Sequence, residues 1–398
     1  MITHALASAS HRRHDCAERL PLRILHVFGC MNRGGAEMRT LELFRCLDPD
    51  RYRFEFCTLS GEPGELDDEI VRLGGKVHPL KLNLAFPREF RKLLSQNNFS
   101  AVHSHVHYFS GFLHRLAAKA GTPQRIAHFR STADGKGGNL WRRTRNFVLK
   151  RWIDGYATDI LGVSRASLDG ALGDCWKADP RCRVIYSGID YCSDDTQCDP
   201  RGVRSEFGLP ADATLVVHVG RMTHEKNHER LIRIFSAFLR QVPNSYLLLV
   251  GVPMEPVHGR ITRLLAGSIV NDRVIVAGTR TDVRRLVLAA DLMIAPSLRE
   301  GLPGAVLESV AAGTPVLASD IPPMTEVGEY VPIRTMSLLE SDETWAAASA
   351  ELCCDKTLRN RLLDAFSHSP FTMSPSAAAY RNLYSVNGES QRDTQEWK

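Results

Sequence analysis

Residues 23–47 read RILHVFGCMNRGGAEMRTLELFRCL, a sequence that predicts a strand, a loop and a helix in succession. The apolar run Arg23–Phe28 is typical of a short buried strand, and the apolar spacing of Gly35–Leu47 is typical of a helix. The loop between them ends in Gly34 and Gly35, whose backbone can approach a phosphate closely. Because the third glycine of the dinucleotide fingerprint is missing, a plain helix start is the alternative.

The same alternation continues along the chain and divides it into two similar halves. In the first half, further strands are predicted at Tyr52–Leu59, Lys76–Pro79, Ala101–His105, Arg125–Phe129 and Asp159–Val163. In the second half, the predicted strands are Leu215–Val219, Tyr246–Val250, Val274–Ala277, Leu292–Ala295 and Pro315–Ala318, with helices at His228–Gln241 and Val283–Ala289. Such alternation predicts parallel sheets covered on both faces, so two doubly wound α/β domains with a cleft between them are expected.

Length and local composition predict where the domains begin and end. The 398 residues, of which 43% are hydrophobic, are enough for two domains with a core each. The polar stretch 191–201 contains three aspartates and Pro200 and interrupts the alternation, so it predicts a boundary between residues 198 and 199. Residues 1–21 are polar and predict a loose tail, which leaves residues 22–198 for the first domain.

Composition and spacing also predict the cellular compartment of the protein and whether it binds a metal. No apolar run approaches the roughly 20 residues that span a bilayer, and the tail lacks the apolar segment of a secretory signal. The ten cysteines form no C-x-x-C pair, which favours reduced thiols. His103, His105 and His107 alternate as metal ligands can, but no nearby cysteine or carboxylate completes a ligand set. We therefore expect a cytoplasmic protein without a bound metal.

The segment Glu300–Glu308 has one carboxylate before a predicted helix and a second within that helix. Pro303 suits the first helical position, where its missing N–H is not needed. The N–H groups of the first turn and the helix dipole attract an anion, while Glu300 and Glu308 can accept hydrogen bonds from hydroxyls on either side of it. A nucleoside diphosphate sugar has this order of groups. The alternative is an ordinary helix whose carboxylates are solvated or paired.

Two cations follow the first strand of the second half, in the segment Gly220–Asn227. Arg221 can bind a phosphate through two N–H groups, and Lys226 adds a mobile point charge. Together they can neutralise a leaving diphosphate without a divalent ion. The alternative is a pair of solvated surface charges, which their position at the carboxyl end of a strand disfavours.

Taken in order, the motifs resemble those of the retaining nucleotide-sugar glycosyltransferases of family 4, which have the GT-B fold. The resemblance extends from about Arg23 to Tyr384. It rests on the motifs Gly34–Glu37, His103–His105, Gly162–Ser164, Gly188–Asp190, Gly220–Arg221, Lys226–Asn227, Asp291 with Pro296–Ser297, Glu300–Glu308 and Gly313–Val316. It implies two Rossmann-like domains that face each other, the first for the acceptor and the second, residues 199–370, for the nucleotide sugar. Residues 371–398 would form a crossover helix and a tail.

The resemblance assigns roles to individual residues. Glu308 corresponds to the carboxylate that takes the ribose hydroxyls, Glu300 to the residue that contacts the donor sugar, and His105 to the histidine near C6 of that sugar. The implied catalytic residues are His105, Arg221, Lys226 and Glu300. The implied donor-binding residues are Gly35, Arg221, Lys226, Thr279, Arg280, Glu300, Gly301, Leu302, Pro303, Gly304 and Glu308. Arg130 ends a predicted strand at the cleft and is a candidate contact for the acceptor or a phosphate.

The resemblance also implies a reaction. A sugar passes from a nucleotide donor, expected to be UDP-linked, to a glycan or lipid-linked saccharide in exopolysaccharide, capsule or lipopolysaccharide synthesis. Front-face displacement with retention needs no nucleophilic side chain, no metal and no cofactor, whereas double displacement through Glu300 would need its carboxylate close behind the anomeric carbon. Two alternatives stay open: a nucleotide-sugar epimerase of the same architecture, and a catalytically silent nucleotide-sugar-binding protein.

Positive charge is concentrated in the half expected to hold the acceptor. Residues 1–200 contain 29 Lys and Arg against 23 Asp and Glu, a net of +6, whereas the remainder has 21 against 22, a net of −1. Residues 139–152 place five cations and two tryptophans in one predicted helix, which suits the anionic inner face of a membrane. The alternative buries Trp141, Val148 and Trp152 in a core and leaves the arginines solvated. No nucleic-acid-binding module accompanies the charge, so nucleic acid is not an expected partner.

Overall fold

Two parallel sheets make up the protein in the computed structural model, which describes residues 21–133, 140–190 and 199–389. Parts of four predicted segments lie outside the described residues: 1–20 of the N-terminal tail, Asn139 at the start of the basic helix, 191–198 of the boundary stretch, and 390–398 of the C-terminal tail. Buried clusters lie on both faces of each sheet. The predicted fold of two doubly wound α/β domains is therefore confirmed.

The first sheet has the strand order β3-β2-β1-β4-β5-β6-β7. Its strands are β1 (Leu22–Phe28), β2 (Tyr52–Thr58), β3 (Lys76–Pro79), β4 (Ala101–Ser104), β5 (Gln124–Phe129), β6 (Asp159–Gly162) and β7 (Cys182–Val184). The predicted strands of this half are all present, and only β7 was not predicted. Three residues are too few for an alternating pattern to appear.

The second sheet has the order β10-β9-β8-β11-β12-β13. Its strands are β8 (Thr214–Val219), β9 (Ser245–Val250), β10 (Val274–Gly278), β11 (Leu292–Ala295), β12 (Val316–Ser319) and β13 (Arg334–Met336). All the predicted strands of this half are present as well. The short edge strand β13 was missed for the same reason as β7.

Helices connect the strands and are numbered along the chain. They are α1 (Gly35–Cys46), α2 (Asp67–Arg72), α3 (Phe86–Asn97), α4 (Ser110–Lys119), α5 (Leu140–Tyr156), α6 (Arg165–Leu172), α7 (Pro200–Glu206), α8 (His228–Gln241), α9 (Val257–Leu265), α10 (Val283–Ala289), α11 (Gly304–Ala311), α12 (Pro322–Gly328), α13 (Asp342–Cys354), α14 (Leu358–Ser367) and α15 (Met373–Glu389). Among the helices of the described ranges, none is long and apolar enough to cross a membrane.

Central strands are apolar throughout because their two faces pack into different cores. In β8, Leu215 and Val217 pack on one face with residues of α11, including Val310. Val216 points to the opposite face and packs with Phe235 of α8. A strand buried on both faces can expose no position to water, which is why the sequence shows a continuous apolar run and no alternation.

Helix α15 returns from the second domain to the first. Tyr380 and Tyr384 lie in the same buried cluster as Phe54 of β2, and the Tyr384 hydroxyl is 2.9 Å from His103 Nδ1. Where the chain crosses back, the Ile189 N–H donates to the Phe371 carbonyl at 2.8 Å. The expected crossover helix is confirmed.

The domains also meet at Glu326 of α12, whose side chain is buried. Its carboxylate accepts hydrogen bonds from the N–H groups of Arg165 (2.8 Å) and Ala166 (3.3 Å), at the start of α6 in the first domain. The Tyr186 hydroxyl donates to the same carboxylate at 2.8 Å. A side chain of one domain thus caps a helix of the other, where the helix dipole favours negative charge.

Candidate active site

The carboxyl ends of the central strands carry the candidate site residues of both domains. Loops after β1, β4 and β5 hold Gly35, His105 and Arg130, and loops after β8, β10 and β11 hold Arg221 and Lys226, Thr279 and Arg280, and Glu300. In each sheet the strand order reverses at its centre, between β1 and β4 and between β8 and β11. Loops diverge at such reversal points and leave room for a ligand.

The helix that carries Glu308 begins one residue later than predicted. Pro303 is the N-cap, with a ψ of 80°, and α11 begins at Gly304. The prediction of Pro303 as the first helical residue is wrong because the Gly304 N–H donates to the Leu302 carbonyl at 2.9 Å, which makes Pro303 the centre of a tight turn. The first helical bond runs from the Leu307 N–H to the Pro303 carbonyl (3.1 Å), so the N–H groups of Ala305 and Val306 precede the helical ladder, as an anion site requires.

Lys226 and Glu300 form an ion pair in the cleft, with 2.7 Å between Nζ and Oε1. The Ser297 hydroxyl donates to the same oxygen at 2.8 Å. The Glu300 side chain is 11% exposed, so its carboxylate is held in place by these two donors. Arg221 is exposed at the start of the loop that carries Lys226. The structure therefore brings together Lys226 and Glu300 and leaves Arg221 open to solvent.

Glu308 is paired with a residue of the opposite domain. Arg39 Nη2, on α1, lies 2.6 Å from Glu308 Oε1, and Arg39 Nη1 lies 2.7 Å from Glu42 Oε2. The contact with Glu42 is an ion pair without hydrogen-bond alignment. Burial raises the pKa of Glu42 to about 7, and repulsion by Glu308 adds to this, while Arg39 and Arg45 act in the opposite direction.

Gly301 lies at a close contact between the domains. A Cβ at this position would be 2.1 Å from the carbonyl oxygen of Arg130, so only glycine fits. The Ser164 hydroxyl donates to the Gly301 carbonyl at 2.7 Å. The loop that carries Glu300 is therefore held against the residue that follows β5.

His105 is a neutral imidazole whose two ring nitrogens both have partners. Burial holds the pKa of His105 well below its usual value, and the charge of Arg130 lowers it further. Arg130 Nε donates to His105 Nδ1 at 3.2 Å. Because arginine has no acceptor, the proton of His105 is on Nε2, which lies 3.0 Å from His26 Nδ1. Arg130 also donates to Ser187 and Thr40 (3.0 and 3.3 Å), so its guanidinium is held beside His105.

Three histidines of the first sheet approach one another as metal ligands could. His26, His103 and His105 each offer one nitrogen within 4.8 Å of the others, whereas His107 of the predicted alternating cluster is not part of this group. His103 is already engaged by Tyr384 (2.9 Å) and by a fourth histidine at 3.0 Å. The guanidinium of Arg130 beside His105 opposes a second cation at this position. In this structure hydrogen bonds link these histidines to one another and to Tyr384.

Of the two glycines at the start of α1, Gly35 has open space beside it and Gly34 is covered by a side chain. An added Cβ at Gly35 would meet nothing within 4 Å, which fits a backbone that a ligand approaches. At Gly34 it would lie 2.4 Å from Glu37 Oε2, so the Glu37 carboxylate folds back over this glycine. Burial raises the pKa of Glu37, whereas its own N–H, Arg130 and Arg221 act to lower it. Glu37 was not among the predicted site residues, although the charges of Arg130 in the first domain and Arg221 in the second both act on it.

The loop after β10 offers its backbone rather than its arginine. Arg280 donates to Asp282 (2.8 and 2.9 Å) and to Glu206 (2.8 Å), and these carboxylates raise the pKa of Arg280. Its guanidinium is therefore engaged by these two carboxylates. Gly278 has a φ of 67°, a left-handed conformation that turns the backbone before Thr279 and needs glycine.

Helix α5 exposes the side chains that one interpretation of the sequence buries. Trp141 is 70% exposed, Phe147 63% and Val148 40%, whereas Leu149 and Ile153 face the core. Burial of Trp141 and Val148 is therefore wrong, because the packed stripe of α5 is offset from these positions. Trp152 is half-buried, with the Arg115 guanidinium 4.7 Å from its ring centroid.

An apolar groove lies between α5 and the loops at the carboxyl edge of the first sheet. Its volume is about 240 Å³, and it is lined by Leu59, Leu82, Val106, Tyr108, Phe109, Arg145, Asn146 and Leu149. Val106 directly follows His105, so the groove is beside the cleft. The side chain of Leu84, two residues beyond Leu82, is fully exposed.

Arg39 is a further cleft residue that was not among the predicted site residues. It follows Gly35 by four positions, and residues four apart share one face of a helix. The glycine pair at the helix start was recognised as a ligand-facing element, so the same spacing could have placed Arg39 at the cleft. No local signal connects it to Glu308, which is 269 residues away in the chain.

Two family models match the chain. A model described as "Glycosyl transferases group 1" matches residues 202–364, in the second domain. A model described as "Glycosyl transferase 4-like domain" matches residues 34–188, in the first domain. The two matches follow the division into two sheets.

Curated relatives match over most of their length. The chain is 30% identical to the capsular polysaccharide biosynthesis glycosyltransferase CapH of Staphylococcus aureus, over 84% of this chain and 92% of CapH. It is 28% identical to the putative glycosyltransferase EpsF of Bacillus subtilis, over 93% and 98%. It is 23% identical to a UDP-Gal:alpha-D-GlcNAc-diphosphoundecaprenol alpha-1,3-galactosyltransferase of Escherichia coli, over 75% and 80%.

A solved structure shares the fold. The Anabaena protein HepE in complex with UDP-glucose superposes with a TM-score of 0.76 at 18% identity, over 92% of this chain and 100% of HepE. At this identity the likeness concerns the arrangement of two facing α/β domains.

Proposed function

The chain belongs to the group 1 glycosyltransferases, and on that premise we propose that it transfers a sugar from a UDP-sugar to a lipid-linked saccharide with retention of configuration. The product would be part of a surface polysaccharide such as a capsule or exopolysaccharide. The observation that carries the proposal is the ion pair of Lys226 and Glu300 beside the start of α11. In this proposal Glu308 is at the ribose, Arg221 and Lys226 are at the diphosphate, and Glu300, paired with Lys226, is at the sugar.

The donor is bound by the second domain in this proposal. Glu308 accepts hydrogen bonds from the ribose, Arg221 and Lys226 bind the diphosphate, and backbone groups around Thr279 contact the base. Arg280 contributes its backbone, since its guanidinium is held by Asp282 and Glu206. UDP is the nucleotide that the names of the E. coli and Anabaena proteins contain, and it is the nucleotide that we propose here.

Stabilisation of the leaving diphosphate is the main catalytic contribution. The bond between the anomeric carbon and the phosphate oxygen breaks, and negative charge grows on that oxygen. Arg221 and Lys226 neutralise this charge, so the reaction does not depend on a metal ion. The acceptor oxygen attacks from the same face, and its proton passes to the departing phosphate.

Glu300 binds the sugar and does not act as a nucleophile in this mechanism. Its Oε1 accepts hydrogen bonds from Lys226 Nζ and the Ser297 hydroxyl, which stabilise the anion and lower its reactivity. Front-face displacement requires no nucleophile from the protein, which agrees with this arrangement. His105, neutral and fixed by Arg130, contacts the far side of the donor sugar.

The acceptor is bound by the first domain. The E. coli relative is named for an acceptor carried on diphosphoundecaprenol, and we propose an acceptor of this kind for the present chain. The groove beside His105 has apolar walls and contains Arg145, a combination that suits a lipid diphosphate. The exposed Trp141 and Phe147 with the cations of α5 would place this domain on an anionic membrane surface.

A donor panel tests the function. The protein is incubated with UDP-, GDP- and ADP-sugars and a polyprenyl-diphosphate saccharide, and nucleotide release and products are followed by chromatography and NMR. We expect UDP release, an unchanged anomeric configuration, and no loss of activity with a chelator. Formation of an epimer without nucleotide release would indicate an epimerase, and binding without turnover would indicate a silent binding protein.

Two variants test the site within the same assay. Lys226→Ala removes a charge that acts on the leaving group, so we expect turnover to fall about 100-fold. Glu308→Gln weakens the ribose hydrogen bonds, so we expect about a tenfold loss of donor affinity. Glu329→Gln, an exposed carboxylate of the same domain, is the control and should leave both unchanged. Normal donor use by both site variants would contradict the assignment.

A further inference from the structure

The carboxylate of Glu308 is held from across the cleft by an arginine of the other domain. Arg39 Nη2 lies 2.6 Å from Glu308 Oε1. The other terminal nitrogen of Arg39 lies 2.7 Å from Glu42, one turn further along α1. Because Arg39 belongs to the first domain and Glu308 to the second, this contact exists only when the domains approach each other.

The ion pair leaves part of the Glu308 carboxylate open. The side chain of Arg39 is 13% exposed, whereas that of Glu308 is 27% exposed. Among the described residues, Glu308 Oε2 has no hydrogen bond, and a carboxylate has about four lone-pair sites in total. Arg39 therefore fixes the orientation of the group through one oxygen while the other can still accept a hydrogen bond.

We propose that Arg39 is a positioning residue that fixes the Glu308 carboxylate for the donor ribose and so couples ribose recognition to domain closure. The inference rests on the proposed function, in which Glu308 is the ribose ligand. Arg39 touches neither the ribose nor the reacting atoms in this account. It acts through Glu308.

Exchange of partners at Glu308 is disfavoured by the chemistry of the groups. In the contact between Arg39 and Glu308 both partners are charged and of opposite sign, so Coulomb attraction adds to the hydrogen bond, whereas a hydroxyl that donates to the carboxylate carries no charge. Ribose hydroxyls are neutral, so they add to the open oxygen and do not displace Arg39. Since the oriented carboxylate exists only in the closed arrangement, ribose binds that arrangement more tightly and shifts the domains toward it.

Two ligands that differ only in their ribose hydroxyls show whether Arg39 affects binding through the ribose. Binding of UDP and of 2′,3′-dideoxyuridine diphosphate is measured by titration calorimetry on the full chain. For Arg39→Met we expect UDP binding to weaken about tenfold and binding of the dideoxy ligand to change less than twofold. Arg39→Lys keeps a cation and should recover part of the UDP affinity. Arg45→Met, on the same helix but paired with Glu69, is the matched control and should bind both ligands as the wild type does.

A double variant and a shape measurement complete the test. If Arg39 acts through Glu308, the variant Arg39→Met with Glu308→Gln binds UDP no more weakly than Glu308→Gln alone. UDP should also reduce the radius of gyration in X-ray scattering of the wild type, and reduce it less in Arg39→Met. Circular dichroism and urea unfolding establish that each variant is folded.

Each contrary result has a distinct meaning. Tighter UDP binding by Arg39→Met would overturn the inference, because Arg39 would then compete with the ribose. Equal weakening for both ligands would overturn it as well, since the effect would not involve the ribose hydroxyls. If Glu308→Gln weakens UDP binding and Arg39→Met does not, only the inference fails. If Glu308→Gln leaves UDP binding unchanged, or if the wild type binds no UDP, the proposed donor site fails too.

Discussion

Glu300 illustrates how the partners of one side chain decide between two chemical roles. A carboxylate beside an anomeric carbon can attack it, as in retaining glycosidases, or bind the sugar through hydrogen bonds. The structure gives its Oε1 two donors, Lys226 and Ser297, at 2.7 and 2.8 Å. The sequence placed a carboxylate at this position, but a serine three residues before it and a lysine 74 residues away determine its reactivity.

The raised pKa of a single residue, Glu42, predicts that the stability of the protein depends on pH. Its pKa is about 7 in the folded state, chiefly through burial, against 4.5 for the unperturbed group. The folded state therefore binds the proton more tightly, and stability falls as pH rises from about 4.5 through 7. Glu42→Gln resembles the protonated form. Its free energy of unfolding, relative to that of the wild type, should increase by about 2 kcal/mol between pH 5.5 and 8.5.

Urea unfolding of both proteins at these two pH values measures the difference. The groups that act on Glu42 are Arg39, Glu308, Arg45 and Asp190, so the comparison is made at constant ionic strength. Glu65→Gln, at an exposed carboxylate of the same domain, is the control and should follow the wild type. A parallel pH dependence in the wild type and Glu42→Gln would show that Glu42 titrates normally.

At the scale of one element, α5 shows that a periodic pattern does not determine which face is covered. Its packed stripe is fixed by α4, where Gly111 allows contact so close that an added Cβ would lie 2.1 Å from the Leu149 carbonyl oxygen. The stripe therefore runs through Leu149 and Ile153, and Trp141 and Phe147 are exposed. Cations and aromatic residues then share a surface, as in helices that bind membranes.

We expect α5 to bind anionic vesicles. The protein should sediment with phosphatidylglycerol vesicles at low salt and be released at high salt, because screening weakens the attraction of the arginines to the lipid. Trp141→Ser with Phe147→Ser should abolish most of the binding. Leu339→Ser, which removes a 96% exposed leucine from the other domain, is the control. Absence of sedimentation with the wild type even at low salt would refute the membrane proposal.

At the scale of the whole molecule, the domains are joined by a buried carboxylate and not by an apolar surface alone. Glu326 accepts from two N–H groups of α6 and from the Tyr186 hydroxyl. Glu326→Ala leaves these donors without their partner, so the free energy of unfolding should decrease by about 2–3 kcal/mol. Glu329→Ala removes an exposed partner of Arg165 and should change it by less than about 0.5 kcal/mol.

Chemical denaturation followed by tryptophan fluorescence compares the two variants. If the contacts of Glu326 with α6 and Tyr186 hold the domains together, Glu326→Ala should also divide the single unfolding transition into two, since each domain then unfolds more independently. Equal stability of Glu326→Ala and Glu329→Ala would mean that the contacts of Glu326 contribute nothing to the free energy of unfolding.

The sequence by itself determined the sheets and their division into two domains, and it predicted the donor-side residues. Each of these depends on local patterns: a buried parallel strand must be apolar at every position, and an anion site needs glycine or a helix start next to a strand. Tertiary structure alone decided the partners across the cleft, namely Arg39 with Glu308, Arg130 with Gly301 and Glu326 with α6. These pairs are far apart in the chain and leave no periodic signal, because the geometry between two domains depends on packing that no single segment contains.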